Sequence, residues 1–397
     1  MTRANRIAGV PRIVYWNNIP TPYMVERFNA ISAHTDLDFE AWFSDRIDPE
    51  RSWDIDETAW QFRYHYLRVV PFTRGRRKIP PLLYKRRPAL LVLLYGDATF
   101  TLGWAIARVL RVRIAFWSMI TFDSWLQRRP WKERLKRIMF RRVDATLSAG
   151  NDSRLYAQRY GIAPERTFLL PHATNVHHFA SASSLSARER DEQRRSLGLE
   201  GTTFIYVGRL WHGKGIEYLI TAAGELGTVC DTPISLLLVG DGPEEHALRE
   251  QCQQQGVAHG VFTGFVQKQD LPLYYGLADV FVFPTLGDPY GLVVDEAMAC
   301  SLPVISTSAA GEIMDRISDG ENGFVVPPMN SRALMEPMRI LAEDPVLRQQ
   351  MGATSAKKMD DLTPERWAET FEALSKLILT KPRIRPRMEH STSGAPE

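Results

Sequence analysis

Cysteine is scarce in this sequence. The 397 residues include three cysteines, Cys230, Cys252 and Cys300, and no two of them have CxxC spacing. An odd, widely spaced set does not provide the framework of a disulfide-stabilised secreted domain or the ligands of a zinc site. The sequence therefore fits a protein of a reducing cytosol.

Long apolar runs are absent as well. The N-terminal stretch MTRANRIAGVPRIVYW is basic but has no apolar segment of signal-peptide length. Residues 101–120 come closest to a membrane span, but Arg108, Arg111 and Arg113 interrupt them, and each would be costly at bilayer depth. We expect no signal peptide, no transmembrane helix and a cytoplasmic location.

Neither sign of charge dominates the whole chain, whose net charge is +3, but its two halves differ. Residues 1–180 carry 29 Lys and Arg against 16 Asp and Glu, a net charge of +13, and residues 181–397 carry 20 against 30, a net charge of −10. The basic half admits three kinds of partner: anionic lipid, an acidic acceptor or nucleic acid.

Length and composition predict two α/β domains. A chain of 397 residues with 44% hydrophobic and 24% charged residues is typical of a soluble globular protein with two domains of ordinary size. Residues 12–16 read as a strand, and Met24, Phe28 and Ile31 then mark one face of a helix. Further strands are predicted at 38–43, 89–94, 111–117, 143–149, 204–207, 234–240 and 261–263.

Residues 181–200 are small, polar and charged, the composition of a linker that leads into a helix. We therefore predict a first Rossmann-like domain at 1–180, a linker at 181–200, a second Rossmann-like domain at 201–362, a C-terminal helix at 363–379 and a disordered tail at 380–397.

The stretch 279–300 is organised as a strand, a loop and a helix. Val280–Phe283 are apolar and β-branched or aromatic, as in a strand buried on both faces, and helical spacing resumes after Gly291. The N–H groups at the start of such a helix lie at the carboxyl edge of the sheet, where phosphates bind. Asp288 and Glu296 place two carboxylates near the same edge, within reach of a polyhydroxylated ligand.

A second candidate site, this one with two cations, follows the strand 204–207. Gly208 permits a tight exit, and Arg209 and Lys214 come just before a predicted helix. Cations are unfavourable at the N-terminus of a helix because of its dipole, so their position there indicates a bound anion.

These motifs resemble those of retaining glycosyltransferases with the GT-B fold, in glycosyltransferase family 4, or group 1. The run DPYGLVVDEAMA resembles the family's EX7E motif, E-P-F-G-L-x-x-x-E-A-M-A, with Asp288 in place of the first Glu. GRL…KG, GDGP and LPVISTSAAGEIMDRISDGENGFVVPP match further family patterns, and the resemblance is carried mainly by residues 203–328. It implies two Rossmann-like domains facing a central cleft, with the donor in the second domain, the acceptor in the first, and a final helix returning to the first.

The resemblance also implies roles for particular residues. Arg209 and Lys214 would bind the diphosphate and stabilise its charge as it leaves, without a metal. Glu296 would bind the donor's ribose and Asp288 the transferred sugar. The remaining donor-binding candidates are Gly208, Gly264, Val266, Pro289, Tyr290, Gly291, Leu292 and Glu312. No catalytic histidine is carried over, because the stretch FWSMITFD has none.

The activity implied is that of a retaining, hexosyltransferase-like enzyme without metal or cofactor. It would move a sugar from a nucleotide diphosphate-sugar to a lipid-linked or polysaccharide acceptor in surface glycan biosynthesis. Two alternatives stay open from the sequence: a nucleotide-sugar epimerase of the same fold, and a basic nucleic-acid-binding protein.

A basic region near residue 130 is interleaved with apolar side chains. Trp131, Leu135, Ile138 and Met139 share one side of a predicted helix. This pattern fits an interfacial helix on the inner face of an anionic membrane, or equally a helix whose apolar side packs in the core. The candidates for contact with membrane or acceptor are Trp125, Arg128, Arg129, Trp131, Lys132, Arg134, Lys136 and Arg137.

Three histidines, His172, His177 and His178, lie close together in the sequence. No carboxylate or cysteine completes a standard zinc set around them. We expect an exposed loop rather than a metal site.

Overall fold

The computed structural model describes residues 9–47, 55–67, 81–94, 98–121, 130–181 and 185–383, which form two parallel β-sheets flanked by helices. The strands are β1 Arg12–Asn17, β2 Asp38–Phe43, β3 Arg63–Tyr66, β4 Leu90–Leu94, β5 Arg113–Ser118, β6 Ala145–Ser148, β7 Thr167–Leu169, β8 Thr202–Val207, β9 Ile234–Val239, β10 His259–Gly264, β11 Val280–Phe283, β12 Val304–Thr307 and β13 Gly323–Val326.

Fifteen α-helices are described beside these strands. They are α1 Pro22–His34, α2 Pro81–Arg86, α3 Ala98–Val109, α4 Pro130–Phe140, α5 Asn151–Arg159, α6 Val176–Ala180, α7 Ala187–Leu197, α8 Ile216–Val229, α9 Glu245–Gln254, α10 Leu271–Leu277, α11 Leu292–Ala299, α12 Ile313–Arg316, α13 Ser331–Glu343, α14 Pro345–Lys358 and α15 Pro364–Thr380. No helix of the described residues is both long and apolar enough to cross a membrane.

The first sheet has seven strands in the order β3-β2-β1-β4-β5-β6-β7. Its central strands are buried on both faces, and successive side chains alternate between two cores. Ile13 and Tyr15 face one core, while Val14 and Trp16 face the other. Because both faces are covered, these strands are continuous apolar runs, which is how the sequence predicted them.

The second sheet has six parallel strands in the order β10-β9-β8-β11-β12-β13. A large single core covers it, built from strands such as Ile234–Val239 and helices such as Ile216–Val229. In both sheets the strand order reverses beside the first strand of the domain, the topology of a doubly wound α/β fold. The predicted fold class, two α/β domains, is confirmed.

Helix α15 lies against the first domain. Its Trp367 and Phe371 belong to the same core as Tyr15, and the Phe371 and Tyr15 rings are 6.2 Å apart. The guanidinium of Arg113 in β5 donates to the carbonyl oxygens of Ile378 and Lys381, at 2.8 and 2.7 Å, and so caps the end of α15. The chain therefore crosses between the two domains twice.

The structure corrects the expected linker at 181–200. Residues Ala187–Leu197 form helix α7, in which Arg190 and Arg194 both pair with Asp279, at 3.0 and 3.1 Å. Phe179 of the preceding helix already belongs to the second core. The second domain thus begins before residue 180. Composition did not show this boundary, because a polar surface helix has the same composition as a linker.

The predicted strands agree with the structure in part. The bounds of β2 and β11 were predicted as they are observed, whereas strands β3, β7, β12 and β13 were not predicted. The predicted tail lies mostly at 384–397, outside the described residues.

Candidate functional site

A cavity of about 620 Å³ lies between the two domains. It opens beyond the carboxyl ends of β8, β9 and β10, where doubly wound sheets bind ligands, and its volume is ordinary for a small-molecule site. The residues that line it are Pro22, Tyr23, Val207, Gly208, Arg209, Val239, Gly240, Asp241, Gly242, Pro243, Glu245, Phe265, Val266, Lys268, Leu271, Leu292, Val293 and Glu296. Pro22 and Tyr23 come from the first domain and all the others from the second.

Arg209 reaches the cavity because β8 ends at Val207 and the chain turns at Gly208. The turn is fixed from two sides. The hydroxyl of Tyr206 donates to the carbonyl oxygen of Arg209 at 3.0 Å, and the next N–H, that of Leu210, donates to the carbonyl oxygen of Asp241 at 2.7 Å. The loop backbone that carries the Arg209 side chain is therefore rigidly attached to the sheet.

Glu296 enters the cavity from helix α11. Its Oε2 accepts a hydrogen bond from the Tyr275 hydroxyl at 3.0 Å. Burial raises the pKa of Glu296 to about 7, against the opposing effects of the Lys268 charge and the Tyr275 hydrogen bond. The carboxylate is thus poised between its two protonation states near neutral pH.

Lys268 is a functional candidate that the sequence analysis missed. It lines the cavity close to Glu296 and forms an ion pair with Glu26 of α1, which spans the cleft between the domains. In the sequence Lys268 stands in the polar run QKQD, with no motif around it. Only the folded structure identifies it.

Lys214 and Asp288 form an ion pair beside the cavity rather than on its lining. The second oxygen of Asp288 accepts the N–H of Tyr290 at 2.9 Å. Burial acts to raise the pKa of Asp288, but the Lys214 ammonium and these hydrogen bonds outweigh it and hold the pKa below its usual value. Both partners are therefore charged, and each neutralises the other in this structure.

Gly291 begins helix α11 in the left-handed region, at a φ of +74°. A Cβ at this position would lie 2.6 Å from the ring of Phe283. Both the backbone angle and the close contact require glycine. The turn brings Leu292 and Val293 to the cavity wall at the N-terminus of the helix.

Of the other predicted donor-binding residues, Gly208, Val266 and Leu292 line the cavity. Gly264 and Gly291 are adjacent in the chain to lining residues, and Pro289 and Tyr290 follow Asp288, but none of the four lines the cavity.

Glu312 is a correction. It is buried, and its two carboxylate oxygens accept the N–H groups of Asp152 and Ser153, at 2.9 and 2.8 Å, at the start of helix α5 in the first domain. Burial raises the pKa of Glu312, against these hydrogen bonds. Both oxygens are engaged away from the cavity, so Glu312 forms a contact between the domains in this structure and does not line the cavity. The motif match at this position gave no sign of the partner.

The basic region near residue 130 is divided between core and surface. Trp125, Arg128 and Arg129 lie outside the described residues. In α4, Met139 and Phe140 are buried in the first domain. The residues of α4 with exposed side chains include Trp131, Lys132, Arg134 and Arg137. The apolar side of the helix thus packs in the core, while Trp131, 61% exposed, and three cations remain on the surface.

Lys136 departs from the prediction for this helix. It is buried, pairs with Glu133 at 3.0 Å and donates to the Tyr156 hydroxyl. Its ammonium also lies over the Tyr160 ring, 4.8 Å from the ring centre. Lys136 is therefore an internal residue and is not available to a membrane or an acceptor.

His172 is also a correction, because the expected exposed loop is partly buried. Its ring is enclosed between Trp117 and Tyr290, with ring centres at 4.7 and 4.3 Å. Burial, with the charges of Arg27 and Arg316, lowers the pKa of His172 well below its ordinary value. His177 is exposed, as expected. Among the described residues, no group of three or more His, Cys, Asp or Glu side chains is arranged to hold a metal ion.

The sequence of the second domain matches a known family model. The model is that of glycosyl transferases group 1, and it matches residues 188–358. This range contains Arg209, Lys214, Asp288 and Glu296.

Two curated relatives illustrate how far the similarity extends. An uncharacterized glycosyltransferase of Methanocaldococcus jannaschii is 39% identical over 150 residues, 37% of this chain and 38% of the relative. The alpha-D-kanosaminyltransferase of Streptomyces kanamyceticus is 31% identical over 192 residues, 46% of this chain and 49% of the relative. The chain thus spans about half, or less, of the length of these relatives.

The whole fold has counterparts among solved structures. HepE of Anabaena, in complex with UDP and glucose, superposes with a TM-score of 0.73 over 92% of this chain and 100% of HepE, at 18% sequence identity. At that identity the likeness concerns the fold. The chain therefore has the GT-B fold, and its residues 188–358 match the model of the glycosyl transferases group 1 family.

Proposed function

We propose that this protein is a retaining glycosyltransferase that transfers a sugar from a nucleotide diphosphate-sugar to an acceptor bound on the side of the first domain. The observation that carries the proposal is the cavity between the domains. Arg209 and Glu296 lie on its wall, the start of helix α11 lies beside them, and Tyr23 faces them from the first domain.

The donor would lie along the carboxyl edge of the second sheet. Arg209 and the N-terminal amides of α11 offer positive charge and N–H donors to the diphosphate. Glu296 would accept hydrogen bonds from the ribose hydroxyls. HepE, of the same fold, is a protein in complex with UDP and glucose, which supports this class of ligand.

In the chemical step the sugar passes, at its anomeric carbon, from the leaving phosphate to an acceptor hydroxyl. The carbon–oxygen bond to the leaving phosphate breaks as the bond to the acceptor oxygen forms on the same face of the sugar. The acceptor's proton passes to an oxygen of the leaving phosphate. Arg209, together with Lys214, would stabilise the negative charge that grows there, so we propose that no metal or cofactor is needed.

Lys214 can serve the diphosphate only if its ion pair with Asp288 is shared or exchanged. Asp288 would then turn to the hydroxyls of the transferred sugar. The pair thus holds two proposed site residues in a charged, ordered state before the donor arrives.

For the acceptor we propose a lipid-linked or polysaccharide glycan, as in surface glycan biosynthesis. The exposed face of α4, with Trp131, Lys132, Arg134 and Arg137, supports peripheral binding to an anionic membrane surface on the cytoplasmic side. Each basic residue near such a surface contributes about 1 kcal/mol. The match to a glycosyl transferase family favours sugar transfer over an epimerase or a nucleic-acid-binding protein.

The test is a thermal-shift panel of UDP, GDP, ADP and their sugars, with a chelator present. A ligand at 100 times its dissociation constant stabilises by roughly 2.7 kcal/mol, enough for a shift of a few degrees. We expect a shift with one base, lost in Arg209→Ala and kept in Arg188→Ala, a control at an exposed arginine of the same domain. No shift with any nucleotide would overturn the proposal. With the base known, the anomeric configuration of the product by NMR tests retention.

A further inference from the structure

The loop that carries Asp288 is paired with a second loop that follows β12. The N–H of Gly311 donates to the carbonyl oxygen of Asp288 at 2.8 Å, and the N–H of Asp288 donates to that of Ala309 at 3.4 Å. A Cβ on Gly311 would lie 2.2 Å from the carbonyl oxygen of Pro289. The two loops are therefore in direct backbone contact and cannot move independently.

Arg316 joins the same two loops from within. Its buried guanidinium donates to the carbonyl oxygens of Tyr290, Gly291 and Gly311, the last two at 3.0 Å. It also pairs with Asp295 of α11 at 3.2 Å. These bonds point the carbonyl groups of 290 and 291 inwards, towards Arg316, and fix the turn that begins helix α11. Arg316 is outside the cavity, so it acts on a ligand only through this turn.

The chain that follows β12 also contacts the first domain, through Glu312 and Asp315. Besides the two bonds from Glu312, Asp315 accepts the N–H of Asn151 at 2.6 Å and its side-chain amide at 2.8 Å. Two carboxylates from the second domain thus cap helix α5 of the first, whose N-cap residue, Gly150, offers no capping side chain. A Cβ on Gly150 would lie 2.3 Å from Glu312, so the contact also requires glycine there.

We infer that residues 309–316 are a coupling segment that sets the geometry of the donor-side loop 288–291 and the closure of the two domains together. Arg316 is the positioning residue on the loop side, and Glu312 and Asp315 hold helix α5 on the other. The coupling itself does not require the proposed function. Its effect on donor binding does rest on that function.

The backbone of Glu312 lies at the centre of this arrangement. Its φ of +56° places a non-glycine residue in the left-handed region, a conformation that carries strain unless the surroundings hold it. Release of α5 would remove that hold. Glu312 directly precedes the short helix α12, which ends at Arg316. A change at Glu312 would therefore also loosen the turn at 290–291 that Arg316 holds.

The coupling is tested without any ligand by hydrogen–deuterium exchange in the full chain. Glu312→Gln and Asp315→Asn are combined, because an amide in place of each carboxylate weakens the cap with little change in size. We expect severalfold faster exchange in peptides covering 150–159 and also in peptides covering 286–293. Arg316→Lys keeps the charge but not the planar fork, and should give the reciprocal result, with faster exchange in both regions.

The control is Glu321→Gln, an exposed carboxylate near the same segment, which should leave both regions unchanged. A cap that is only local would speed exchange at 150–159 alone, and that result would overturn the inference. If the double variant unfolds, as judged by circular dichroism, Asp315→Asn alone gives the milder form of the same test.

Closure and donor binding are read separately. Small-angle scattering should show a larger radius of gyration for the double variant than for the wild type, and an unchanged radius would overturn the closure part. The nucleotide found in the thermal-shift panel should bind the variant severalfold more weakly. If the wild type binds no nucleotide, the proposed function fails while exchange and scattering still decide the coupling. If it binds and the variant binds equally well, the function stands and the link to donor binding is lost.

Discussion

Lys214 and Asp288 neutralise each other beside the cavity, although each is expected to meet a different part of the donor. We predict that Asp288→Asn destabilises the ligand-free protein by about 1–3 kcal/mol, because it leaves a largely buried ammonium without its partner. The freed Lys214 would then bind a diphosphate better. The nucleotide-induced thermal shift should therefore be larger in the variant than in the wild type, while the rate of sugar transfer falls.

The matched control for Asp288 is Asp231→Asn, an exposed carboxylate of the same domain, which should leave the nucleotide shift unchanged. An equal or smaller nucleotide shift in Asp288→Asn would show that the ion pair does not compete with the diphosphate.

Glu296 predicts a pH dependence of stability. Its pKa of about 7 in the folded protein exceeds the value of about 4.3 in an unfolded chain. Between these values the folded state binds more protons than the unfolded state, so stability falls as the pH rises from about 4.3 to about 7 and stays lower above that. Glu296→Gln removes this loss. Between about pH 5 and pH 8 the free energy of unfolding of the variant should exceed that of the wild type by about 1–2 kcal/mol, a figure reduced for the partial exposure of the side chain.

Urea unfolding of both proteins across this pH range measures the difference. Parallel stability curves for the wild type and Glu296→Gln would contradict the assignment of the raised pKa to this residue.

Lys268 and Glu26 act on Glu296 with opposite signs. The charge of Lys268 lowers the pKa of Glu296, and that of Glu26 raises it. We predict that Lys268→Met moves the pH midpoint of nucleotide binding upwards and that Glu26→Gln moves it downwards. The two variants remove the same ion pair across the cleft, so a shift in the same direction for both would mean that loss of the pair, and not the charge beside Glu296, is responsible.

The surface of α4 predicts salt-dependent membrane binding. The protein should sediment with anionic vesicles at low salt and be released at high salt. Arg134→Glu with Arg137→Glu should abolish sedimentation. The same reversal at Arg188 and Arg195, which are exposed on α7, should leave it unchanged. Equal sedimentation with neutral vesicles at any salt would exclude an electrostatic membrane surface.

Sequence patterns predicted those features that depend on neighbours in the chain. The apolar run of β11, the glycine at 291 and the cation after β8 each follow a local rule, and the structure has the strand and the turn as predicted, with Arg209 on the cavity wall. Glu312 fits the family pattern equally well, yet its partners are about 160 residues away in the chain.

The sequence also did not show which polar side chains are buried. Lys136 stands in a run of surface cations, and its place inside the domain depends on Tyr156 and Tyr160 of the following helix and turn. His172 is buried by aromatic rings from three distant segments, one of which, Tyr290, belongs to the other domain. Such contacts depend on tertiary packing and not on a local period.

The return of helix α15 to the first domain makes the second domain an insertion in the first. Tyr15 and Phe39, from the first forty residues, lack part of their packing until Phe371 has been synthesised. The amino-terminal half therefore cannot complete its core while it emerges from the ribosome, although domains usually fold in the order of synthesis. The inserted half has no such dependence, since its core is built from residues 176–362, and it is the half that can finish folding first.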